Sequence, residues 1–159
     1  MSEQVTLAVE TPLAAPIVEP KPVREPAKPD RGGNYLGTGR RKTSIARVRM
    51  KPGTGKFVVN GKELANYFSE LRDQGDAIAP LKLTNLADKF DVSVTTEGGG
   101  VSGQAGAIKM GLARALQGWD PSLHDILRDN EMLTRDAREV ERKKYGRAGA
   151  RRRFQFSKR

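Results

Sequence analysis

Two stretches of the chain carry many basic side chains and no acidic one, which limits how each stretch can be buried. Residues 31–56 hold eight Lys or Arg side chains and residues 142–159 hold nine, whereas residues 1–30 and 57–141 are both net acidic. The formal net charge of +10 is therefore concentrated in two places. Like charges crowded along a chain repel one another, so this pattern favours a polyanionic partner over a solvated surface that binds nothing.

The composition argues against several classes of site. The 159-residue chain has no Cys and a single His, His124, so neither disulfides nor a thiolate or zinc site is expected. No apolar run approaches the ~18 residues of a membrane span, and residues 1–3 lack the basic start of a signal peptide. We therefore expect a cytoplasmic protein with no metal, no cofactor and no membrane partner.

Proline marks the first of three predicted regions. Residues 1–34 hold six of the nine prolines and are predicted to be a disordered extension without a role of its own. Residues 35–141 carry the apolar periodicities and are predicted to be the globular domain. Residues 142–159 are predicted to be an extended cationic tail, because no apolar period survives from Tyr145 onward.

Alternation of apolar and basic side chains predicts the first strand. Ala46, Val48 and Met50 alternate with Arg47 and Arg49, so one face of this strand is apolar and the other is cationic. Proline and glycine predict a turn at residues 52–55, followed by a return strand at 56–59. Apolar residues at helical spacing predict a helix at 63–71, and two further strands are predicted at 81–84 and 91–96.

A glycine run leads into the predicted main helix. Gly98, Gly99 and Gly100 should form a structural turn in which at least one residue has a positive φ or lies where a Cβ would clash. Ser102 is expected to cap the helix and Gly118 to end it. The apolar stripe that should face the sheet consists of Ile108, Leu112, Ala115 and Leu116; a further helix is expected from Asp120 and Pro121, and a short one over residues 136–144.

Two matches to nucleotide-binding motifs are incomplete. A Gly-rich turn resembles part of a phosphate-binding loop, but Met50 stands where that pattern needs Gly, and Phe57 stands where it needs Ser or Thr. Gly98, Gly100 and Gly103 satisfy G-x-G-x-x-G between a strand and a helix, yet no second parallel strand with a ribose-binding acid follows. Since no Ser-His or Cys-His arrangement is recognisable either, we expect no catalytic residues and keep a small dinucleotide-binding enzyme only as an alternative.

The C-terminal region offers chemistry that suits RNA. Arg presents a planar fork that binds two phosphate oxygens at once, and the Gly and Ala residues keep the intervening backbone slim. Tyr145, Phe154 and Phe156 could stack on bases, which is worth about 1–3 kcal/mol for each stacked base. Such a segment becomes ordered on binding, which suits a permanent, crowded assembly.

Three segments resemble one protein family in the right order. The opening of bacterial small-subunit ribosomal protein nine is similar to residues 35–56, YLGTGRRKTSIARVRMKPGTGK. Its signature segment is similar to residues 98–116, GGGVSGQAGAIKMGLARAL, and its C-terminal tail to residues 133–159, LTRDAREVERKKYGRAGARRRFQFSKR. The resemblance covers residues 35–159 and does not include the N-terminal extension.

The resemblance implies an α+β domain with a small mixed β-sheet and helices packed on one face, like the second domain of ribosomal protein five. It implies a non-enzymatic, structural role in the head of the small subunit, with small-subunit ribosomal RNA, neighbouring ribosomal proteins and the peptidyl-site transfer RNA as partners. Transfer RNA would be contacted by Ser157, Lys158 and Arg159 at the tip of the tail. Ribosomal RNA would be bound by the basic residues of both cationic stretches: Arg40, Arg41, Lys42, Arg47, Arg49, Arg142, Lys143, Lys144, Arg147, Arg151, Arg152 and Arg153.

Basic charge alone would also allow a DNA-binding architectural protein. Proteins distinguish RNA from DNA through the A-form shape and the 2′-hydroxyl group, which a count of charges does not address. No helix-turn-helix or zinc-finger pattern supports this alternative.

Overall fold

The computed structural model describes residues 25–157, which build a mixed β-sheet flanked by helices. The strands are β1 (Tyr35–Arg41), β2 (Ser44–Pro52), β3 (Phe57–Val59), β4 (Lys62–Glu63) and β5 (Phe90–Glu97). The α-helices are α1 (Leu64–Tyr67), α2 (Leu71–Leu83), α3 (Val101–Trp119) and α4 (His124–Asp129), with a 3-10 turn at Pro121–Leu123. Residues 1–24 of the predicted extension and Lys158 and Arg159 of the predicted tail lie outside the described residues.

The sheet has a buried face and an open face. Its strand order is β1-β2-β5-β3-β4, and β3 and β5 form its parallel pair. Along β2, Ala46, Val48 and Met50 are buried whereas Arg47 and Arg49 are exposed, as the alternation predicts. Helix α3 packs across β1 and β2 on the buried face, and α2 packs against α3. This arrangement confirms an α+β fold with a mixed sheet and helices on one face.

Helix α3 lies so close to β1 that only glycine fits at two positions of the strand. A Cβ atom on Gly37 would stand 2.0 Å from the carbonyl oxygen of Gly111, and one on Gly39 would stand 1.9 Å from that of Ala107. Both distances are far shorter than the ordinary separation of non-bonded heavy atoms, about 3.5–4.0 Å. The two obstructing atoms belong to helix backbone, so no side-chain rotation relieves the clash.

Strand β1 forms one edge of the sheet and is tied to α3 by a polar contact as well. The guanidinium of Arg114 in α3 donates a 2.7 Å hydrogen bond to the backbone carbonyl of Thr38. One acceptor of this edge strand is therefore satisfied within the chain.

The expected return strand exists as β3, but it does not pair with β2. Strand β5 lies between them and pairs with β2 from Ile45 to Pro52, whereas β3 runs parallel to β5. The predicted hairpin is therefore wrong. A turn signal reports that the chain changes direction, but it does not identify the partner of the strand that follows.

The strand expected at residues 81–84 is also wrong, because these residues end α2. Ala77 and Leu81, one helical turn apart, are both buried, so the apolar spacing here belongs to a helix. Thr84 is the C-cap of α2, and its hydroxyl donates a 3.0 Å hydrogen bond to the carbonyl of Pro80.

The helix expected at residues 63–71 is interrupted after a single turn. Phe68 adopts an extended conformation at the end of α1, and α2 begins only at Leu71. The Phe68 ring is fully buried and meets the Tyr67 ring edge-on at 5.0 Å. The helix is therefore broken at the residue whose ring is buried, and the helical spacing of apolar residues does not predict this break.

The ends of α3 differ from expectation. Gly100, not Ser102, occupies the N-cap position, and the Ser102 hydroxyl donates a 3.2 Å hydrogen bond to the buried Asp73 instead. Helix α3 also continues through Gly118 and ends at Trp119.

Beyond α3, one local signal is confirmed and another fails. Asp120 accepts a 2.9 Å hydrogen bond from the backbone N–H of Ser122, so the Asp-Pro signal does start a helical segment, although its first turn is 3-10. Residues 136–144 contain no helix. Asp136 accepts a 3.0 Å hydrogen bond from the backbone N–H of Arg138, and such local bonds compete with helix formation.

We predict that Gly39→Ala lowers the free energy of unfolding by about 1–3 kcal/mol, the usual cost of overpacking a core. The added methyl group would force α3 away from β1. Thr38→Ala, on the exposed face of the same strand, should change stability by less than about 0.5 kcal/mol. Urea unfolding of both variants measures the difference, and equal stabilities would contradict the close approach.

Candidate nucleic-acid interface

The open face of the sheet presents several guanidinium groups to solvent. Arg47 and Arg49 stand two residues apart on β2, and Arg40 lies on the same face of β1. Cross-strand pairing sets Arg47 opposite Thr95 and Arg49 opposite Ser93 on β5. The strand alternation therefore brings these basic residues together on one exposed face, beside the hydroxyl groups of β5.

The cations of this face differ in whether they are already paired. Arg47 forms a 3.0 Å ion pair with Glu97, but both side chains are more than half exposed, and exposed pairs of this kind contribute little to stability. Within residues 25–157, Arg40, Lys42 and Arg49 form no ion pair, so their charges remain available to an external anion. Lys42 has a φ of 51° in the exposed turn between β1 and β2.

Arg41 behaves differently from its neighbours although the sequence groups it with them. Its guanidinium donates to the carboxylate of Asp136 at 3.2 Å and to the Ser102 carbonyl at 3.3 Å. Only 28% of its side chain is exposed. The structure therefore places Arg41 in an internal contact, away from the surface formed by Arg40 and Arg47.

The Gly-rich turn that resembles a phosphate-binding loop holds a carboxylate of the same chain. Asp91 accepts hydrogen bonds from the backbone N–H groups of Thr54 at 2.8 Å and Lys56 at 3.0 Å. A Cβ on Gly53 would stand 2.2 Å from this carboxyl group. The N–H bonds from Lys56 and Thr54 lower the pKa of Asp91 below its usual value. The donors that would hold a phosphate are already occupied.

The glycine turn before α3 allows a tight backbone turn and close packing against Ser44. Gly98 and Gly99 have φ values of 71° and 64°, which L side chains rarely adopt. A Cβ on Gly99 would stand 1.9 Å from the hydroxyl oxygen of Ser44, a fully buried residue that donates to the Gly98 carbonyl. Gly100 has open space at its Cα, and no strand follows α3 in the described part of the chain. The turn thus lacks the second half of a dinucleotide-binding unit.

The C-terminal segment has no helix or strand from residue 130 to 157, but its first part is tied locally. Arg151 donates to the carboxylate of Glu141 through both Nε, at 3.0 Å, and a terminal nitrogen. Lys144 lies 3.7 Å from the same carboxylate. The Arg151 hydrogen bond is the main cause that lowers the pKa of Glu141. Glu141, the last acid before the cationic stretch, therefore neutralises part of it.

Most of the remaining cations of this segment, and its aromatic rings, face solvent. Tyr145, Phe154 and Phe156 are 96%, 57% and 92% exposed. Arg147 is half-buried and donates a 3.3 Å hydrogen bond to the Arg151 carbonyl. Basic residues that are exposed and form no ion pair within residues 25–157 are Arg142, Lys143, Arg152 and Arg153.

Sequence reasoning missed the acidic residues that organise these cations. Asp91, Asp136 and Glu141 each accept a hydrogen bond from a group that is distant in the chain. The donors are the Lys56 backbone N–H, the Arg41 side chain and the Arg151 side chain, respectively. Asp136 and Glu141 carry local signals as well, since Arg138 follows Asp136 by two residues and Lys144 follows Glu141 by three. No group of acidic or His residues able to hold a metal ion occurs in the described part of the chain, and none of its helices is long and apolar enough to cross a membrane.

The fold and the outward-facing guanidinium groups define a basic α+β protein suited to a polyanionic partner. The sequence model of the family described as ribosomal protein S9/S16 matches residues 39–159. Small ribosomal subunit protein uS9 of Thermotoga neapolitana is 56% identical over 128 residues, which cover 79% of this chain and 96% of that protein. The protein of the same name from Thermotoga maritima is 55% identical with the same coverage. The chain belongs to the ribosomal protein S9/S16 family.

We predict that Asp91→Asn lowers the melting temperature, because the neutral amide is a weaker acceptor for the two N–H groups. The folded-state pKa of Asp91 lies below the ordinary value of 3.8. The stabilisation by the carboxylate is therefore fully present above that value and is lost as the pH falls through the lower folded-state pKa.

The difference in melting temperature between the two proteins should accordingly stay constant from neutral pH down to the ordinary pKa and shrink below it. Asp88→Asn, at an exposed carboxylate that makes no hydrogen bond in the described residues, is the control and should match the unmodified protein. A difference that grows on acidification would contradict the assignment.

Proposed function

We propose that the protein is a structural, non-enzymatic constituent of the small ribosomal subunit that binds ribosomal RNA. The observation that carries this proposal is the pair of surfaces on which unpaired guanidinium groups face outward, one on the open face of the sheet and one in the C-terminal segment. Membership of the ribosomal protein S9/S16 family supports the same conclusion. Such a protein would work in the cytoplasm, where bacterial ribosomes are found, beside other ribosomal proteins of the subunit head.

The two surfaces suit different features of RNA. The open sheet face carries Arg40, Arg47 and Arg49 but no aromatic side chain of its strands, so its chemistry suits phosphates and sugars more than the stacking of bases on aromatic rings. The C-terminal segment combines free cations with exposed aromatic rings, which are the groups that bind unpaired nucleotides. We assign a phosphate-binding role to the basic residues that are open to solvent: Arg40, Lys42, Arg47, Arg49, Arg142, Lys143, Lys144, Arg152 and Arg153.

Two of the basic residues that the sequence predicted as RNA ligands are already hydrogen-bonded within the C-terminal segment. The Arg147 side chain donates a hydrogen bond to the Arg151 carbonyl, and the Arg151 side chain donates to the Glu141 carboxylate. An RNA phosphate would have to replace the Glu141 carboxylate before Arg151 could bind it. Both Arg151 and Glu141 are exposed, so this exchange meets little resistance.

We further propose that the end of the chain contacts the transfer RNA in the peptidyl site. Support for this role comes from the similarity of Ser157, Lys158 and Arg159 to the end of the family's C-terminal tail. Phe156, which is 92% exposed, lies directly before this tripeptide and is free to stack on a base.

We predict a steep salt dependence of binding to structured ribosomal RNA. If six of the nine tail cations neutralise phosphates, the tail alone should contribute roughly −4 to the log–log slope, at about −0.7 per phosphate on single-stranded RNA, and the cations of the sheet face should steepen the slope further. Replacing Arg152 and Arg153 by Gln should bring the slope about 1.4 closer to zero. Arg128→Gln, which removes an ion-paired cation of α4, is the matched control and should leave the slope unchanged. Equal or tighter binding to duplex DNA of the same length would overturn the RNA assignment.

We predict that removal of Ser157, Lys158 and Arg159 leaves assembly into the small subunit largely intact, since most of the basic residues remain. Transfer RNA should then bind more weakly in the peptidyl site of subunits that carry the shortened protein. Binding of labelled transfer RNA to these subunits measures the effect. An unchanged affinity would count against the contact and would reduce the tip to two further ribosomal RNA cations.

A further inference from the structure

Arg41 lies across the surface of α3 in a slot that Gly106 provides. A Cβ on Gly106 would stand 2.3 Å from Cδ of Arg41 and 2.8 Å from one terminal nitrogen. The same guanidinium donates to the Ser102 carbonyl one turn earlier on the helix. The absence of a side chain at residue 106 thus allows Arg41 to reach past the helix toward the segment that follows α4.

Asp136 receives this guanidinium and is itself fixed by Arg138. Arg138 donates to the Asp136 carboxylate through its backbone N–H at 3.0 Å and through a terminal nitrogen at 2.8 Å. The Arg138 hydrogen bonds, with a smaller contribution from Arg41, hold the pKa of Asp136 well below its usual range. Asp136 is only 27% exposed, so the carboxylate that meets Arg41 is charged, oriented and partly shielded from water.

The contact lies where the chain leaves the folded domain. Met132 is the last buried apolar residue of the described chain. Among the described residues beyond it, the Arg41–Asp136 pair is the hydrogen-bonded ion pair that reaches back to the sheet. The hydrogen bonds of residues 138–157 join residues within the segment or end on Asp136. Asp136 is therefore the last described residue whose side chain is hydrogen-bonded to the sheet.

We propose that Arg41 and Asp136 form a clasp that positions the C-terminal segment for RNA, and that Arg41 is a positioning residue and not a phosphate ligand. This proposal rests on the proposed function, because it assumes that residues 142–159 bind RNA. The clasp limits the volume that the segment samples in the free protein. Less conformational freedom is then lost on binding, which strengthens binding without a new contact.

The proposal and simple electrostatics make opposite predictions for Asp136→Asn. Removing a negative charge beside a polyanion should tighten RNA binding if charge alone matters. Loss of the clasp should weaken it, by on the order of three- to tenfold, because the freed segment must be ordered at binding. Asp129→Asn removes a carboxylate that is paired with Arg128 of α4 and not with the C-terminal segment, and is the control for the loss of a negative charge.

A second variant separates positioning from stability. Gly106→Ala displaces Arg41 without changing any charge, and alanine favours the helix over glycine, so the melting temperature should hold or rise. Gly75→Ala in α2 gives the same helix preference with open space around the new methyl group. If the clasp positions the segment, only Gly106→Ala should weaken RNA binding, although both variants are at least as stable as the parent.

The experiment uses the full chain, which has no Cys and so accepts two site-specific spin labels. Labels at Lys82→Cys in α2 and Val140→Cys beyond the clasp report the distribution of distances in the free protein by pulsed electron paramagnetic resonance. RNA binding is measured separately on unlabelled proteins. We expect a narrow distribution that broadens with Asp136→Asn, Arg41→Gln and Gly106→Ala but not with Asp129→Asn or Gly75→Ala.

Unchanged distributions, or an Asp136→Asn protein that binds RNA as tightly as the parent or more tightly, would overturn the clasp. A parent protein that fails to bind structured RNA at all would instead overturn the proposed function. In that case the distance distributions alone test the clasp, which predicts that Asp136→Asn and Arg41→Gln broaden them.

Discussion

The contact between the backbone of α3 and the backbone of β1 determines where the other parts of the structure can lie. Gly37 and Gly39 on the strand face Gly111 and Ala107 on the helix, and the absence of Cβ atoms lets the two elements meet at their main chains. Because α3 lies so close to the sheet at β1, the apolar side chains of β2 and β5 fill the space beside the helix. The other residues of these two strands, which alternate with the apolar ones, lie on the opposite face of the sheet. Helices α2 and α3 occupy the other side of the sheet, which leaves the cationic face open.

Acidic residues, more than the number of basic ones, decide which cations are free. Glu97, Asp136 and Glu141 pair with Arg47, Arg41 and Arg151 respectively, while Asp91 fills a turn that would otherwise resemble an anion site. A count of charges treats all these groups as equivalent. Geometry separates them into cations that build the protein, cations held by exposed acids that a phosphate can replace, and cations with no partner in the described part of the chain.

Local patterns in the sequence predicted some elements well and others poorly, for physical reasons. The alternation around Arg47 predicted both faces of β2, because a half-buried strand imposes its period of two on side chains. Strand β1 was not predicted, since Gly37 and Gly39 replace the apolar residues that would mark its buried face. The pairing of β3 with β5, and of Arg41 with Asp136, joins residues far apart in the chain, so no local pattern reports it. The family resemblance supplied the fold class that periodicity alone left open.

The hydrogen bond from Arg114 to the carbonyl of Thr38 has a consequence for the protein before it meets RNA. A ribosomal protein exists as a free chain before it is incorporated into its subunit. The exposed edge of a sheet is a template on which another chain can add a strand and begin to aggregate. Arg114 already occupies one acceptor of that edge, so an added strand would have to displace this side chain before it could pair at Thr38.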